Sequence, residues 1–131
     1  QIVDSIPLRT ESQDISFSAC VFHHIPNDEH IYWLSEIKRV TKLGGTLAIY
    51  EHNPLNFLTR RAVSDCPFDV NAELIPATKM KLNLIASGWT DINVEYKIFF
   101  PSFLRLFRPF ERYLWWFPLG AQYVIFARKP T

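Results

Sequence analysis

The first fifty residues constrain the fold most, because two short apolar runs there flank one helical pattern. Residues 14–22 (Asp14-Ile15-Ser16-Phe17-Ser18-Ala19-Cys20-Val21-Phe22) combine apolar and small side chains between polar stretches, which predicts a buried strand. Pro26 and Asn27-Asp28-Glu29 come next, a helix-start signal that places acids at the positive end of the helix dipole. Trp33, Leu34, Ile37 and Val40 recur at helical spacing, and Lys38, Arg39 and Lys42 are expected in the last turns. Gly44-Gly45 is the expected stop. Thr46 to Tyr50 reads as a second short apolar strand. Strand, helix and strand in about 37 residues make a βαβ unit, so the two strands should be parallel with a right-handed crossover.

Downstream the pattern changes. Residues 52–72 have no periodicity and contain Pro54 and Pro67, which predicts a long loop with one helical turn at most. Pro76 suits a first helical turn; Ala77, Met80, Leu84 and Ile85 supply an apolar face, and Gly88 ends it. Ile92, Val94, Tyr96 and Ile98 alternate with Asn93, Glu95 and Lys97, the signature of a strand with one wet face. Tyr123 to Ala127 is apolar throughout and should lie inside the sheet, leaving 92–98 at or near an edge.

Composition sets the outer limits. At 131 residues, with 48% apolar and 21% charged, the chain is sized and balanced for one globular domain. A formal charge of +1 provides no field that calls for nucleic acid, which is not expected as a partner. Cys20 and Cys66 form no disulfide framework, so a reduced cytoplasmic protein is the simplest expectation. No signal peptide is visible, and the longest uncharged stretch, Tyr113 to Ala127, is too short and broken to span a bilayer. The start at Gln1, without methionine, reads like a piece of something longer.

Two motifs carry a resemblance. Asp14 to Ile25, ending in Phe22-His23-His24-Ile25, resembles the fourth-strand motif of class I S-adenosylmethionine-dependent methyltransferases. Leu34-x-Glu36-Ile37-x-Arg39-Val40-x-Lys42-x-Gly44-Gly45-Thr46-Leu47 resembles the helix and fifth strand that follow it. Val3 to Leu8 resembles the segment after the third strand, and the C-terminal strands fit the sixth and seventh. Glu51-His52-Asn53-Pro54, Leu58-Thr59-Arg60 and Cys66-Pro67-Phe68-Asp69 resemble a subgroup of these enzymes. The resemblance implies an α/β fold, the C-terminal half of a Rossmann-like sheet. The family order 3-2-1-4-5-7-6 would leave strands 4-5-7-6 here, the seventh antiparallel, with flanking helices.

It also implies S-adenosylmethionine as cofactor and methyl transfer to a small-molecule or lipid-linked acceptor. One thing is missing. The four glycines (Gly44, Gly45, Gly88 and Gly120) form no G-x-G pattern, so the loop that brings backbone close to the cofactor's carboxyl end is absent. The chain by itself is therefore expected to be inactive, and a non-catalytic partner or membrane-surface module of the same fold is the alternative. Without the first strand, the edge of 14–22 would be bare. Covering by an N-terminal half, a swapped partner or a second copy is expected.

Candidate site residues follow from these placements. Asp4 matches the acid after the third strand that meets the adenine amino group. Ser18, Ala19 and His24, at the end of the first predicted strand, are assigned to the cofactor side, where ligands of open α/β sheets bind. Small residues there equally suit a helix packed on the strand. Glu51, His52 and His23 are the candidates for proton removal and acceptor positioning, against a polar turn built on Asn53-Pro54 and a structural histidine. Arg60, Arg61 and Asp69 either bind an anionic group or pair in a solvated loop. His23, His24, Asp28, Glu29 and His30 match no zinc spacing, and no metal is expected.

The chain reads as a single partial domain, 1–131, with a substrate loop at 52–72 and an amphipathic lid or cap at 102–117. In that last stretch Phe103, Phe107, Phe110, Leu114 and Phe117 share one α-helical face, while Arg105, Arg108 and Arg112 share another. It suits either a membrane interface, giving a cytoplasmic protein peripheral contact with lipid, or a cap packed on the core or a dimer seam.

Overall fold

The computed structural model describes residues 4–131. Four strands form one sheet in the order β1-β2-β4-β3: β1 Gln13–Ala19, β2 Thr41–His52, β3 Thr90–Lys97 and β4 Gln122–Arg128. β1 and β2 are parallel, while β4 runs antiparallel to both β2 and β3. This is the 4-5-7-6 arrangement expected from the sequence, with Tyr123 to Ala127 inside and residues 92–97 at the edge. Three α-helices complete the fold: α1 His30–Val40, α2 Phe57–Ser64 and α3 Ala77–Ala86.

Helices α1 and α3 lie side by side on one face of the sheet. The core between them holds Leu34, Leu47, Ile49, Met80, Leu84, Trp89, Tyr123 and Ile125, all almost fully buried. Trp89 satisfies its indole N–H on the carbonyl of Leu34 at 3.1 Å, joining the end of α3 to α1. Such a ring contributes its large apolar area only when its polar N–H is paired.

Several local expectations are corrected. The first strand stops at Ala19, because Cys20 takes a left-handed backbone (φ 53°) that turns the chain out of the ladder. His23 and His24 therefore sit in a short 3-10 turn, Phe22–His24, and not on the strand. The helix ends at Val40, five residues ahead of Gly45, where Thr41 becomes extended. The buried Thr41 hydroxyl donates to the Ile37 carbonyl at 2.7 Å and meets Ser16 Oγ at 2.6 Å, which closes the helix and starts β2 at once. Gly44 and Gly45 lie inside β2, in an irregularity between the pairs Gln13↔Thr41 and Ile15↔Thr46. A Cβ on Gly45 would stand 2.7 Å from the Thr41 methyl and 2.9 Å from two carbonyl oxygens, so the glycine there serves close approach.

Residues 52–72 contain more order than the sequence pattern indicated. Asn56 caps α2 by accepting the Thr59 N–H at 2.9 Å, and Thr59 anchors the helix to the Ala121 carbonyl at 3.0 Å. The stretch 102–117 is not an α-helix. Ser102–Tyr113 forms a 3-10 run with a break at Leu104 (φ −109°, ψ 22°) and Pro109 within it. Pro109 removes one donor and blocks the preceding turn of an α-helix. The α-helical stripe of phenylalanines consequently does not form, and Phe103 (81% exposed) and Leu106 (84%) face solvent.

Candidate functional site

The site lies where β1 and β2 end together, at the pair Ala19↔Tyr50. Cys20 keeps its N–H on the Tyr50 carbonyl (2.8 Å) while its left-handed backbone redirects the chain across the end of β2. Waiting there is Glu51, the penultimate residue of β2 and almost fully buried. Its Oε1 accepts the N–H groups of Val21 (3.0 Å) and Phe22 (2.7 Å). Its Oε2 lies 2.6 Å from His23 Nδ1. One carboxylate thus fixes the turn and the imidazole together. With Nδ1–H donated to Glu51, His23 turns its Nε2 the other way.

Opposite that nitrogen stands Asp69. Its Oδ1 is 3.5 Å from His23 Nε2 and 3.4 Å from His24 Nε2. The loop carrying Asp69 is held in place by the Glu73 N–H donating to the His23 carbonyl at 2.9 Å. The His23 ring packs 4.1 Å from that of His24 and 5.3 Å from that of His52. A hydrogen bond from the Cys66 thiol, then the nearby imidazoles, hold the Asp69 carboxyl below the usual range. Burial, then the neighbouring His23, push the His52 imidazole down. Burial, then the carboxylates of Glu51 and Asp69, push the Cys20 thiol up.

Three hollows adjoin this cluster. His52, Thr59, Val63, Cys66, Asp69 and Ile98 line one of about 300 Å³. His23, His24, Asn27, Asp28 and Glu73 line a second of about 500 Å³. The third, about 510 Å³, runs along β1 and α1 past Ile6, Phe17, Ser18, Ala19, Phe22 and Trp33. Ser18 faces the core side of the sheet with Ile49, its pair across the ladder, and its buried Oγ has no partner among the described residues. Buried hydroxyls are ordinarily paired.

The structure therefore brings Glu51, His52, His23 and His24 together, with Ser18 and Ala19 in the adjacent cleft. Glu51 and His52 are the last residues of β2 itself, where the sequence placed them just past the strand. Asp4 stands apart: it is exposed, and its carbonyl accepts the hydroxyl of Tyr32 on α1. Asp28, Glu29 and His30 do not join His23 and His24. His30 is in the core, its Nε2 on the carbonyls of Phe22 and Ile25, and Glu29 accepts the Trp33 indole. The sequence reading undervalued Asp69, grouping it with Arg60 and Arg61. Arg61 pairs loosely with Asp65 instead, at 3.9 Å. Cys66-Pro67-Phe68-Asp69 was the available signal, but nothing local in it points to two histidines more than forty residues away.

Asn53 completes the frame. Buried after β2, it donates to the carbonyls of Pro118 (2.8 Å) and Gly120 (2.7 Å) and accepts the Leu55 N–H at 3.1 Å. This staples the approach to β4 against the site.

Comparison with known proteins gives a consistent result. The family model described as a methyltransferase domain matches residues 2–49. No curated protein matches the chain in sequence. Among solved structures, a SAM-dependent methyltransferase of Thermotoga maritima, described as a possible histamine N-methyltransferase, superposes with a TM-score of 0.73 at 20% identity. That alignment covers 96% of this chain and 60% of that one. A SAM-dependent methyltransferase of Archaeoglobus fulgidus gives 0.69 at 17% identity, covering 93% and 62%. Human N-acetylserotonin methyltransferase, solved in complex with SAM, gives 0.64 at 17% identity, covering 98% and 32%. The chain spans about 60% of the length of the first two.

Proposed function

We propose, from the match of residues 2–49 to a methyltransferase-domain model and from a fold shared with SAM-dependent methyltransferases, that the chain is part of a class I S-adenosylmethionine-dependent methyltransferase and forms the acceptor-side part of its methyl-transfer site. The observation that carries this reading is the convergence of Glu51, His23, His52 and Asp69 at the C-terminal ends of β1 and β2, where open α/β sheets bind ligands. The acceptor class is a small or lipid-linked molecule bearing a protonated nucleophile.

The residues present fit one flank of S-adenosylmethionine. Ser18, with its unpartnered hydroxyl, and Ala19 would face it from the cleft along β1, beside the apolar walls of Phe22 and Trp33. When bound, that molecule supplies an electrophilic methyl group. Everything else falls to the chain. Glu51 acts as a positioning residue: both its oxygens are occupied, so it holds the turn and the His23 ring and does not itself meet an acceptor. His52 lines the hollow that an acceptor would enter and is placed to take the proton released as the nucleophile is methylated. Thr59, Val63 and Ile98 give that hollow apolar walls that exclude water from the reacting atoms. Catalysis of this kind is mostly orientation plus one proton transfer.

No glycine-rich loop is present in the chain to approach the cofactor's carboxyl end, so by itself it is inactive in this reading. The test is calorimetric titration with S-adenosylhomocysteine, of this chain and of the longest native reading frame that contains it. Saturable micromolar binding by the longer protein supports the reading. A folded long protein that binds none would instead establish a non-catalytic module.

A second reading concerns 102–117, and the exposure of Phe103 and Leu106 beside Arg105 and Arg108 favours it. Aromatic and basic side chains together suit an anionic lipid surface, which would bring a lipid-linked acceptor to the site. Among the described residues no helix is long and apolar enough to cross a membrane, so contact would be peripheral. Replacing Arg105 and Arg108 by Glu should abolish sedimentation with phosphatidylserine vesicles. Unchanged sedimentation would remove the electrostatic part of the idea.

A further inference from the structure

We propose that His23, His24 and Asp69 form a binding site for a divalent transition-metal ion of the zinc type. One ligand atom from each residue lies within 4.8 Å of the other two, and both Nε2 atoms face Asp69 Oδ1. The two N···O separations, 3.5 and 3.4 Å, are too long for good hydrogen bonds. They are instead close to the edge of a zinc tetrahedron, about 3.3–3.4 Å for bonds of roughly 2.0–2.1 Å.

Proton placement leads to the same conclusion. Glu51 accepts the Nδ1–H of His23, so a neutral His23 presents a lone pair from Nε2. That lone pair faces a carboxylate oxygen, which is also an acceptor. Two acceptors facing each other need a proton or a metal ion between them. A metal ion meets that need and engages His24 at the same time.

The surroundings are those of a built site. A carboxylate hydrogen-bonded to the far nitrogen of a ligating histidine commonly fixes its tautomer and orientation, which is the contact Glu51 makes with His23 here. The ligand loop is fastened at its far end by the Glu73 N–H on the His23 carbonyl. His23 is 2% exposed, whereas His24 is 44% exposed and opens on the hollow of about 500 Å³. That leaves room for a fourth ligand from solvent, the arrangement of an open metal site. Two imidazoles and one carboxylate suit zinc or cobalt over calcium or magnesium, which take oxygen ligands. Asp69 is supplied by a loop more than forty residues from the histidines, so the set escapes any search by spacing. The ion itself depends on no assumption about methyl transfer.

The experiment is calorimetric titration of the metal-free chain with Zn²⁺, with Co²⁺ absorption as a second readout and no methyl donor present. One equivalent should bind at micromolar or tighter affinity, and Co²⁺ should give the visible bands of a four-coordinate nitrogen and oxygen site. His24→Ala and Asp69→Asn should each weaken binding at least tenfold, with circular dichroism unchanged. Absence of binding by the folded chain at 100-fold excess Zn²⁺ would overturn the proposal. So would binding that both variants leave untouched, because the ion would then sit elsewhere; a bridging proton would be the better account of the Asp69 geometry.

Discussion

The two edges of the sheet are built differently. β3 is finished by its own chain: the Tyr96 N–H donates to the Trp115 carbonyl at 2.7 Å, and the segment leading to β4 passes close over Lys97. Its outward side chains are polar, and Lys97 pairs with Glu95 at 2.7 Å. β1 has no such finish. Among the described residues it pairs only with β2, and it exposes Ile15 (70%) and Phe17 (67%) on the face away from α1. Phe17 packs edge-to-face with the Tyr50 ring there, centroids 5.7 Å apart. Charges, short length and covering segments are how edges avoid unwanted pairing. β3 has these protections, while β1 has the composition of an interior strand. The sheet therefore holds its own core on one face while β1 keeps an unpaired, apolar outer edge among the described residues.

Five variants would break or sharpen this contrast. The largest effect is expected from Glu51→Ala, which leaves two turn N–H groups and His23 without their acceptor at the end of β1. Each orphaned buried donor costs about 1–3 kcal/mol, so a loss of about 3 kcal/mol or more should appear in urea denaturation. Little or no change would show that the turn is held by something other than this carboxylate.

At the other edge, Gly120→Ala should cost about 1–3 kcal/mol through overpacking. Its new Cβ would lie 2.6 Å from the Lys97 carbonyl oxygen and 2.9 Å from its nitrogen. A neutral result in thermal melts would mean the cover over β3 is loose.

Next comes association. Ile15→Lys with Phe17→Lys should shift the chain toward monomer in sedimentation velocity, since both side chains are exposed already. The matched change on the finished edge, Asn93→Lys, should leave the distribution as it was. Equal behaviour of the two edges would undo the comparison. The smallest effect is Glu95→Ala. The Lys97 partner is half exposed, and such pairs contribute less than about 1 kcal/mol. A clear loss in the same urea assay would give β3 a larger electrostatic debt than its geometry indicates.

Legibility in the sequence followed the range of the forces. The βαβ unit, the wet strand and the interior strand were readable because period-2 and helical spacing are recorded within a few residues. Helix α2 was missed, since its cap at Asn56 and its tether to Ala121 are two contacts scattered over a stretch with no apolar period. At 102–117 the apolar spacing did favour an α-helix. Pro109 and the break at Leu104 replaced it with a tighter 3-10 run that points its large side chains outward. Four of the candidate residues, Glu51, His52, His23 and His24, could be grouped because the sequence puts them at or just past the ends of two neighbouring strands. Their roles could not be named, since those depend on which atom faces which.

By itself the sequence determined the parallel first pair, the interior place of β4 and the edge place of β3, while the full strand order came with the family resemblance. Only the tertiary structure decided that Glu51 is buried and fully engaged, that Asp69 faces both histidines, and that Gly45 and Gly120 serve close backbone approaches. The reason is physical. Burial patterns repeat along the chain and leave a local imprint, whereas a hydrogen bond or an ion site depends on ångström-scale meetings between residues far apart in sequence.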